Sequence, residues 1–297
     1  MLYIIIEMTN NYIIAIPSYK RANFCNTKTL TTLADNKINP KLIYIYVASK
    51  EEFNEYKSIL NPNYYNKIII GKKGLVPQRQ FIMNNWSFNQ KIVFFDDDVE
   101  SIDLSLTKLP ISNNLNKFIN YAFECCIKHK SYIWGVYPVF NPFFREKRQE
   151  MTTNLNYIVG AFYGIISRPK LKSIQLIITN ENGQKEDVER SLKYFINDGI
   201  VLRFNRIGFT TKYYGKEGGL GRFEERLKPM LNAFKELERK YSDYGYIKTR
   251  PNGMSEFVLK KIPAFSKLKN DKNINKKSKK QIIKNKIINK TKKQKIK

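Results

Sequence analysis

The sequence has only one histidine, His129, and three cysteines, Cys25, Cys125 and Cys126. His129 lies between two lysines, a polar setting typical of an exposed residue, so serine–histidine–aspartate catalysis and histidine-rich zinc sites are not expected. The cysteines form an odd set without metal-ligand spacing, and adjacent cysteines rarely form a disulfide. We therefore expect free thiols and a reducing compartment, the cytoplasm or nucleus of a cell.

Two other familiar signals are missing. No apolar run reaches the roughly 18 residues that a membrane-spanning helix needs, and the first residues lack the basic flank and cleavage site of a signal peptide. Neither a Gly-x-Gly-x-x-Gly loop nor a P-loop is present. We therefore expect a protein that does not bind membranes and that holds any phosphate groups without a glycine cradle.

Acidic residues are scarce, with 26 against 53 lysines and arginines, and the formal net charge is +27. Residues 261–297 carry 15 lysines and one aspartate, a net charge of +14, which leaves +13 on residues 1–260. We predict that 261–297 is a disordered lysine-rich tail, and such blocks often contact nucleic acid. Codon bias is the alternative, because lysine, asparagine and isoleucine are frequent throughout the chain.

Short apolar runs alternate with helical patterns over the first hundred residues. We predict strands at 12–16, 42–47, 67–70 and 92–95 and helices at 27–34, 51–60 and 76–86. This alternation is typical of a mostly parallel sheet flanked by helices. The predicted fold class is therefore α/β, an architecture that commonly binds nucleotides.

The pattern changes in the second half of the chain. We predict helices at 115–128, 186–195 and 223–241 and strands at 131–140, 157–167 and 199–214. Residues 216–221 are rich in glycine and read as a flexible loop. No internal repeat is present, so we interpret this half as an extension of the first rather than an independent domain.

Three consecutive aspartates, Asp96, Asp97 and Asp98, directly follow the apolar run at 92–95. Adjacent carboxylates repel one another, so they favour a fold only where a cation neutralises them. Ligands of open α/β sheets bind at the carboxyl ends of strands, and Mg²⁺ or Mn²⁺ takes carboxylate and phosphate oxygens. The aspartates therefore predict a metal–diphosphate site, with a solvated acidic turn as the alternative.

A strand that ends in Asp-x-Asp after an alternating α/β half resembles the GT-A class of nucleotide-sugar glycosyltransferases. Motifs over roughly residues 12–225 narrow the resemblance to the glycosyltransferases associated with TET/JBP-type thymine and methylcytosine oxygenases, which include the enzyme that makes base J. These motifs are Ile16-Pro-Ser-Tyr-Lys-Arg21, Arg79, Phe95-Asp-Asp-Asp-Val99, Trp134-Gly-Val-Tyr-Pro138 with Asn141, Glu186-Asp-Val-Glu-Arg190 and Lys216-Glu-Gly-Gly-Leu220.

The resemblance implies a GT-A-like domain at 9–260, with a nucleotide-sugar-binding half at 9–105 and an acceptor-side half at 106–260. It implies transfer of a sugar from a UDP-sugar, with UDP-glucose the expected donor, to hydroxymethylated pyrimidines in DNA. Mn²⁺ or Mg²⁺ would assist. Two alternatives remain: a transferase that acts on a protein or glycan, and a non-catalytic nucleic-acid-binding protein on a transferase scaffold.

On the donor side, Asp96 is predicted to contact the sugar or ribose and the metal, and Asp98 the metal. Pro17, Ser18 and Arg21 follow the first strand, where α/β proteins commonly contact the nucleotide. Pro17 and Ser18 alternatively form a rigid turn and a helix cap. The Arg79 guanidinium is expected either to bind the diphosphate or to hold the aspartates.

On the acceptor side, Asp187 is the predicted general base, and Glu186 is the second choice. The alternative is that these acids complement the dipole of a helix that begins there. Arg190 is expected to pair with the acids or with DNA phosphate. Gly218 and Gly219 are predicted to close a loop over the donor.

Aromatic residues at 134–144 lie close in sequence to Arg145, Lys147 and Arg148. They are Trp134, Tyr137, Phe140, Phe143 and Phe144. Most of these rings are expected in the core, but one or two could stack on an extruded base, because chemistry on a base requires its removal from the duplex.

Overall fold

A computed structural model describes residues 12–179, 184–211, 223–251 and 253–265. Within them the strands are β1 (Tyr12–Pro17), β2 (Ile43–Val47), β3 (Lys67–Ile70), β4 (Lys91–Phe95), β5 (Val99–Asp103), β6 (Ile133–Val136), β7 (Met151–Thr152), β8 (Phe162–Ile166), β9 (Leu202–Phe204), β10 (Gly208–Thr211), β11 (Gly245–Thr249) and β12 (Ser255–Leu259). The α-helices are α1 (Ala22–Cys25), α2 (Thr31–Asp35), α3 (Lys50–Ile59), α4 (Leu75–Asn85), α5 (Leu115–His129), α6 (Glu186–Asp198) and α7 (Phe223–Tyr241).

Eight of these strands form one sheet in the order β3-β2-β1-β4-β8-β6-β9-β7. The first four are parallel to one another; β8 runs antiparallel to both β4 and β6, and β6 is parallel to β9. Only β8 and β7 oppose the common direction. The predicted α/β class with a mostly parallel central sheet flanked by helices is therefore confirmed. Two small antiparallel pairs, β10–β5 and β11–β12, complete the strands.

The strand β1 shows why the sheet lies in the middle of the molecule. All six of its residues are buried. Ile14 and Ile16 belong to one apolar cluster and Ile13 and Ala15 to another. Because alternate residues of a strand point to opposite faces, the sheet has an apolar core on each side.

The helices begin and end with recognisable local signals. The Ser49 side chain accepts a hydrogen bond from Glu52 N at the start of α3, and Asn114 caps α5 through Lys117 N. Gly199 ends α6 with φ +77°, a left-handed conformation that glycine adopts without a Cβ penalty. The first helical segment starts at Ala22, earlier than predicted, and continues to Asp35 through a π-helical turn at Asn26–Leu30.

Two predicted strands are shorter than their apolar runs suggest. The run at 131–140 gives only β6, and the run at 157–167 gives only β8. In the second run, the Ile158 amide donates to Ser191 Oγ at 2.9 Å, and the carbonyls of Ile158 and Gly160 accept from arginines. Side chains from other elements thus satisfy this backbone instead of a neighbouring strand.

The strands β5, β7, β11 and β12 and the packing of residues 261–265 were not foreseen. We assigned 261–265 to the tail, yet Phe265 stacks edge-on against Phe195 with ring centroids 5.3 Å apart, and its amide donates to the Gly199 carbonyl. Residues 266–297 lie outside the described part of the chain. The three cysteines are free and buried. No described helix has the length and apolarity needed to cross a membrane.

Candidate functional site

The donor-side residues converge because β1 and β4 are parallel neighbours, so their carboxyl ends meet at one edge of the sheet. Pro17 is the last residue of β1, and Ser18 directly follows it with its amide bonded to the Tyr46 carbonyl. The three aspartates follow β4 at the same edge. This is the edge at which open α/β sheets bind ligands.

Asp97 and Asp98 share one guanidinium. Arg21 places Nη1 3.0 Å from Asp97 Oδ1 and Nη2 2.7 Å from Asp98 Oδ2. The Ser18 hydroxyl donates to Asp97, and the Thr211 hydroxyl donates to Asp98. Both aspartates are buried, so Arg21 supplies the positive charge that two adjacent carboxylates need in the fold.

Asp96 belongs to a second ion network. Arg79 Nη2 lies 2.5 Å from Asp96 Oδ1, and Arg79 Nη1 pairs with Glu186. The other oxygen of Glu186 pairs with Arg190, one turn further along α6. Arg79 thus connects the end of β4 to the start of α6, and the predicted pairing of Arg190 with an acid is observed.

Asp187 differs from its neighbour Glu186. Glu186 is 3% exposed between two guanidiniums, an environment that suits a carboxylate held in place. Asp187 is half-buried and accepts a hydrogen bond from the hydroxyl of Tyr157. A third acid of the same turn, Glu189, accepts hydrogen bonds from the backbone amides of Ile177–Thr179 and so anchors the preceding segment.

Gly160 and Tyr163 form the wall of the second network, and sequence reasoning missed both. A Cβ on Gly160 would lie 2.8 Å from Arg79 Nη1 and 2.9 Å from a Glu186 oxygen, so a larger residue here would force this ion pair to shift. The Arg190 guanidinium lies 3.8 Å from the centroid of the Tyr163 ring. In the sequence, the close packing of side chains against this backbone is indicated only by the two glycines of the run Gly160-Ala-Phe-Tyr-Gly164.

The surroundings of the aspartates change their acidity. Burial raises the pKa of Asp97 to about 7, although Arg21 and Ser18 oppose the change. Desolvation likewise raises the pKa of Asp96 to about 6 against the opposing charge of Arg79. Burial lowers the pKa of Arg21, but Asp97 and Asp98 outweigh this, and its net shift is upward.

The aspartates fit a divalent ion only in part. The Asp96 side chain is 35% exposed, with Oδ1 on Arg79, so its other oxygen can reach a cation. Both oxygens of Asp98 are already engaged, by Arg21 and Thr211. Among the described residues no group of three or more acidic, histidine or cysteine side chains is arranged to hold a metal ion. The residues therefore suit an ion that takes most ligands from substrate phosphates and water.

The remaining predicted residues fall into two groups. Gly218 and Gly219, and the loop 216–221 that contains them, lie outside the described residues. Among the aromatic residues, Trp134 is fully buried and Tyr137 is 9% exposed, whereas Phe140, Phe143 and Phe144 are exposed. The expectation that most of these rings belong to the core is therefore wrong for the last three.

Comparison with known proteins gives only distant likenesses. No protein-family model and no curated protein matches the chain. Solved structures that resemble it include Staphylococcus aureus TarS 1–349 (13% identity over 67% of this chain, TM-score 0.39) and a mycobacterial protein (12% over 85% of this chain and 84% of its own length, TM-score 0.44). A third is 4-diphosphocytidyl-2C-methyl-D-erythritol synthase from Anaerococcus prevotii (10% over 53% of this chain and 72% of its own length, TM-score 0.30).

The chain spans 59% of the TarS 1–349 chain and 36% of a longer TarS chain, the latter with a TM-score of 0.40. Likenesses this weak carry no argument about activity. No family model supports the oxygenase-associated glycosyltransferases specifically.

Proposed function

We propose that the chain is a nucleotide-sugar-dependent glycosyltransferase that transfers a sugar to hydroxymethylated pyrimidines in DNA. The resemblance described above implies that the sugar is glucose and that the donor is UDP-glucose. The observation that carries the proposal is the contact of Arg79 with both Asp96 and Glu186. This guanidinium brings the strand end that would hold a donor next to the helix start that carries a candidate base. A transferase needs these two functions at one site.

In the proposed reaction, Asp187 accepts the proton of the acceptor hydroxymethyl group as its oxygen attacks the anomeric carbon. The bond from that carbon to the diphosphate oxygen breaks, and the nucleoside diphosphate leaves. Tyr157 would orient Asp187 through their hydrogen bond. Arg21 and Arg79 hold the aspartates in place.

A divalent ion, Mn²⁺ or Mg²⁺, would be held by Asp96 and by Asp98, the second ligand that the resemblance implies. It would act as a Lewis acid that stabilises the leaving diphosphate. The Asp98 oxygens would first have to exchange Arg21 or Thr211 for the ion.

A transfer assay with UDP-glucose labelled in the sugar tests the proposal. Hydroxymethylated DNA, unmodified DNA and a protein or glycan acceptor are compared, and the product nucleoside is identified by mass spectrometry. We expect label only in hydroxymethylated DNA, and Asp98→Asn should abolish this metal-dependent transfer while the protein remains folded by circular dichroism. Label in the protein or glycan alone would replace the proposed acceptor, and DNA binding without any sugar transfer would indicate the non-catalytic alternative.

A further inference from the structure

A cavity of about 930 Å³ is lined by side chains from residues 147–261. Its described lining contains six cationic side chains and one carboxylate, Glu256. The cations are Lys147, Arg148, Lys185, Arg203, Lys260 and Lys261. Glu256 is already paired with Arg250, so the lining has a large excess of positive charge.

Two of these cations contact the same aromatic ring. The guanidiniums of Arg148 and Arg203 lie 4.4 and 5.1 Å from the centroid of the same ring, Tyr137. Neither arginine forms an ion pair with an acid among the described residues. Burial, and to a lesser degree Arg148, lowers the pKa of Arg203 to about 10. Two cations on one ring, with no acid paired to either, leave a positive charge that an anion can neutralise.

The cavity lies next to the candidate base, Asp187, which is not itself a lining residue. Tyr157 lines the cavity and donates its hydroxyl to Asp187. Lys185 and Val188, which flank Asp187 along the chain, also line it. An anion in the cavity would therefore lie within reach of Tyr157, the hydrogen-bond partner of the proposed base.

Two exposed aromatic rings closely precede the cavity-lining residues Lys147 and Arg148 in the chain. Phe143 is 77% and Phe144 48% exposed, and their rings meet edge-on with centroids 5.3 Å apart. The Arg148 Nε donates to the Phe144 carbonyl at 2.6 Å, which ties the rings to a cavity-lining cation. Proteins that bind single-stranded nucleic acid combine these two features, a cationic groove for phosphates and rings on which bases stack.

We propose that this cavity binds the phosphates of a single-stranded or locally unpaired segment of nucleic acid, with a base stacked on Phe143. The cations alone would accept any polyanion; the exposed rings favour a polyanion that carries bases. Only the purpose of this site, which is to deliver the acceptor to Asp187, rests on the proposed function. Binding itself requires no sugar donor.

The test measures binding of the full chain to a fluorescent oligodeoxynucleotide of about 12 nucleotides, by anisotropy from about 50 to 200 mM salt. Lys147→Gln/Arg148→Gln should lower the slope of log affinity against log salt by about 1.4, because each lost phosphate contact on a single strand contributes about 0.7. Phe143→Ala should weaken binding by about five- to 150-fold, the range for loss of one base–ring stack, with the slope unchanged.

Matched controls lie far from the cavity. Lys41→Gln/Lys57→Gln removes two exposed cations near β2 and β3, and Phe88→Ala removes a ring that is 63% exposed. Both should leave the affinity and the slope unchanged. The lysine-rich residues 266–297 are present in every variant, so their contribution cancels from each difference.

Inorganic polyphosphate, a polyanion without bases, serves as the second ligand. The slope of log affinity for polyphosphate against log salt should be lower in the double cavity variant than in the wild type. Phe143→Ala should leave the affinity for polyphosphate unchanged. Oligonucleotide binding that also ignores Phe143→Ala would make this a general polyanion site and overturn the nucleic-acid assignment. An unchanged slope in the double cavity variant would overturn the site itself. Failure of sugar transfer with this binding pattern intact would refute only the proposed function.

Discussion

Two regions of the molecule each concentrate charges of one sign. They differ in whether neighbouring side chains of the same chain neutralise those charges. At the ends of β1 and β4 the carboxylates pair inside the chain with Arg21 and Arg79, and Glu186 at the start of α6 pairs with Arg79 and Arg190. In the cavity beside α6 the cations have almost no acid among the described lining. In the first region the arginines hold the carboxylates in place. The second lacks counter-charges, which is expected of a surface whose partner supplies them.

The largest effect is expected at the boundary between the two regions, where Asp187 meets Tyr157. Asp187→Asn should lower the rate of transfer by about 10²- to 10⁴-fold, because a general base contributes a factor of this size. Steady-state kinetics with hydroxymethylated DNA measures it, and Asp35→Asn, at an exposed position, is the control. Full activity in Asp187→Asn would assign the base to another residue.

Arg79→Met tests whether the donor-side charges are structural. Loss of Arg79 leaves Asp96 without a guanidinium and the buried Glu186 with Arg190 alone, so the free energy of unfolding should fall by about 3–5 kcal/mol. Urea denaturation measures this change. The matched control is Arg239→Met, whose partner Glu236 lies on the exposed face of α7; its cost should stay below about 1 kcal/mol. An equal loss of unfolding free energy in both variants would contradict the distinction between the buried and the exposed ion pair.

Asp97 gives a pH test of the same region. Its native pKa of about 7 lies above the unfolded value of about 3.9. Between these values the native state binds more protons, so this carboxyl contributes a loss of stability as the pH rises, with a slope of at most about 1.4 kcal/mol per pH unit.

The Asp97→Asn variant should lose that contribution. Its free energy of unfolding, relative to the wild type, should therefore increase from pH 5 to pH 7, with the other aspartates present in both proteins. Urea unfolding at several pH values gives the two curves. Parallel curves would show that Asp97 does not titrate in this range.

The smallest effect is expected in the cavity. Lys147→Gln/Arg148→Gln removes two exposed cations without an acidic partner, so the free energy of unfolding should change by no more than about 0.5 kcal/mol. Thermal unfolding at low salt measures it most clearly, because screening is weakest there. A loss of more than about 2 kcal/mol would mean that these cations hold the fold together, as Arg79 does.

The sequence predicted the parts of the site that depend on local pattern. The strand β4 and the aspartates after it follow from an apolar run that ends in charges, and the convergence of Ser18 and Arg21 with them follows from parallel strand order. Arg79 was expected either to bind the diphosphate or to hold the aspartates, and it contacts Asp96.

Contacts between distant segments were not accessible in this way. Thr211 reaches Asp98 across 113 positions, and Tyr157 reaches Asp187 across 30. Neither residue type signals such a role by itself. The early part of the run at 157–167 also looked like a strand, because nothing local shows that Ser191 would take the backbone amide of Ile158.

The ion pair between Arg79 and Glu186 joins residues 107 positions apart. This separation has a consequence for folding during synthesis. A nascent chain that has emerged only to residue 150 carries Arg79 and Asp96 but neither Gly160 nor Glu186. Because chains fold progressively as they are made, the first-half sheet can form while this arginine still has a single carboxylate partner. The proposed reaction centre is therefore completed only once α6 has left the ribosome, so we expect a chain truncated before that helix to show no sugar transfer.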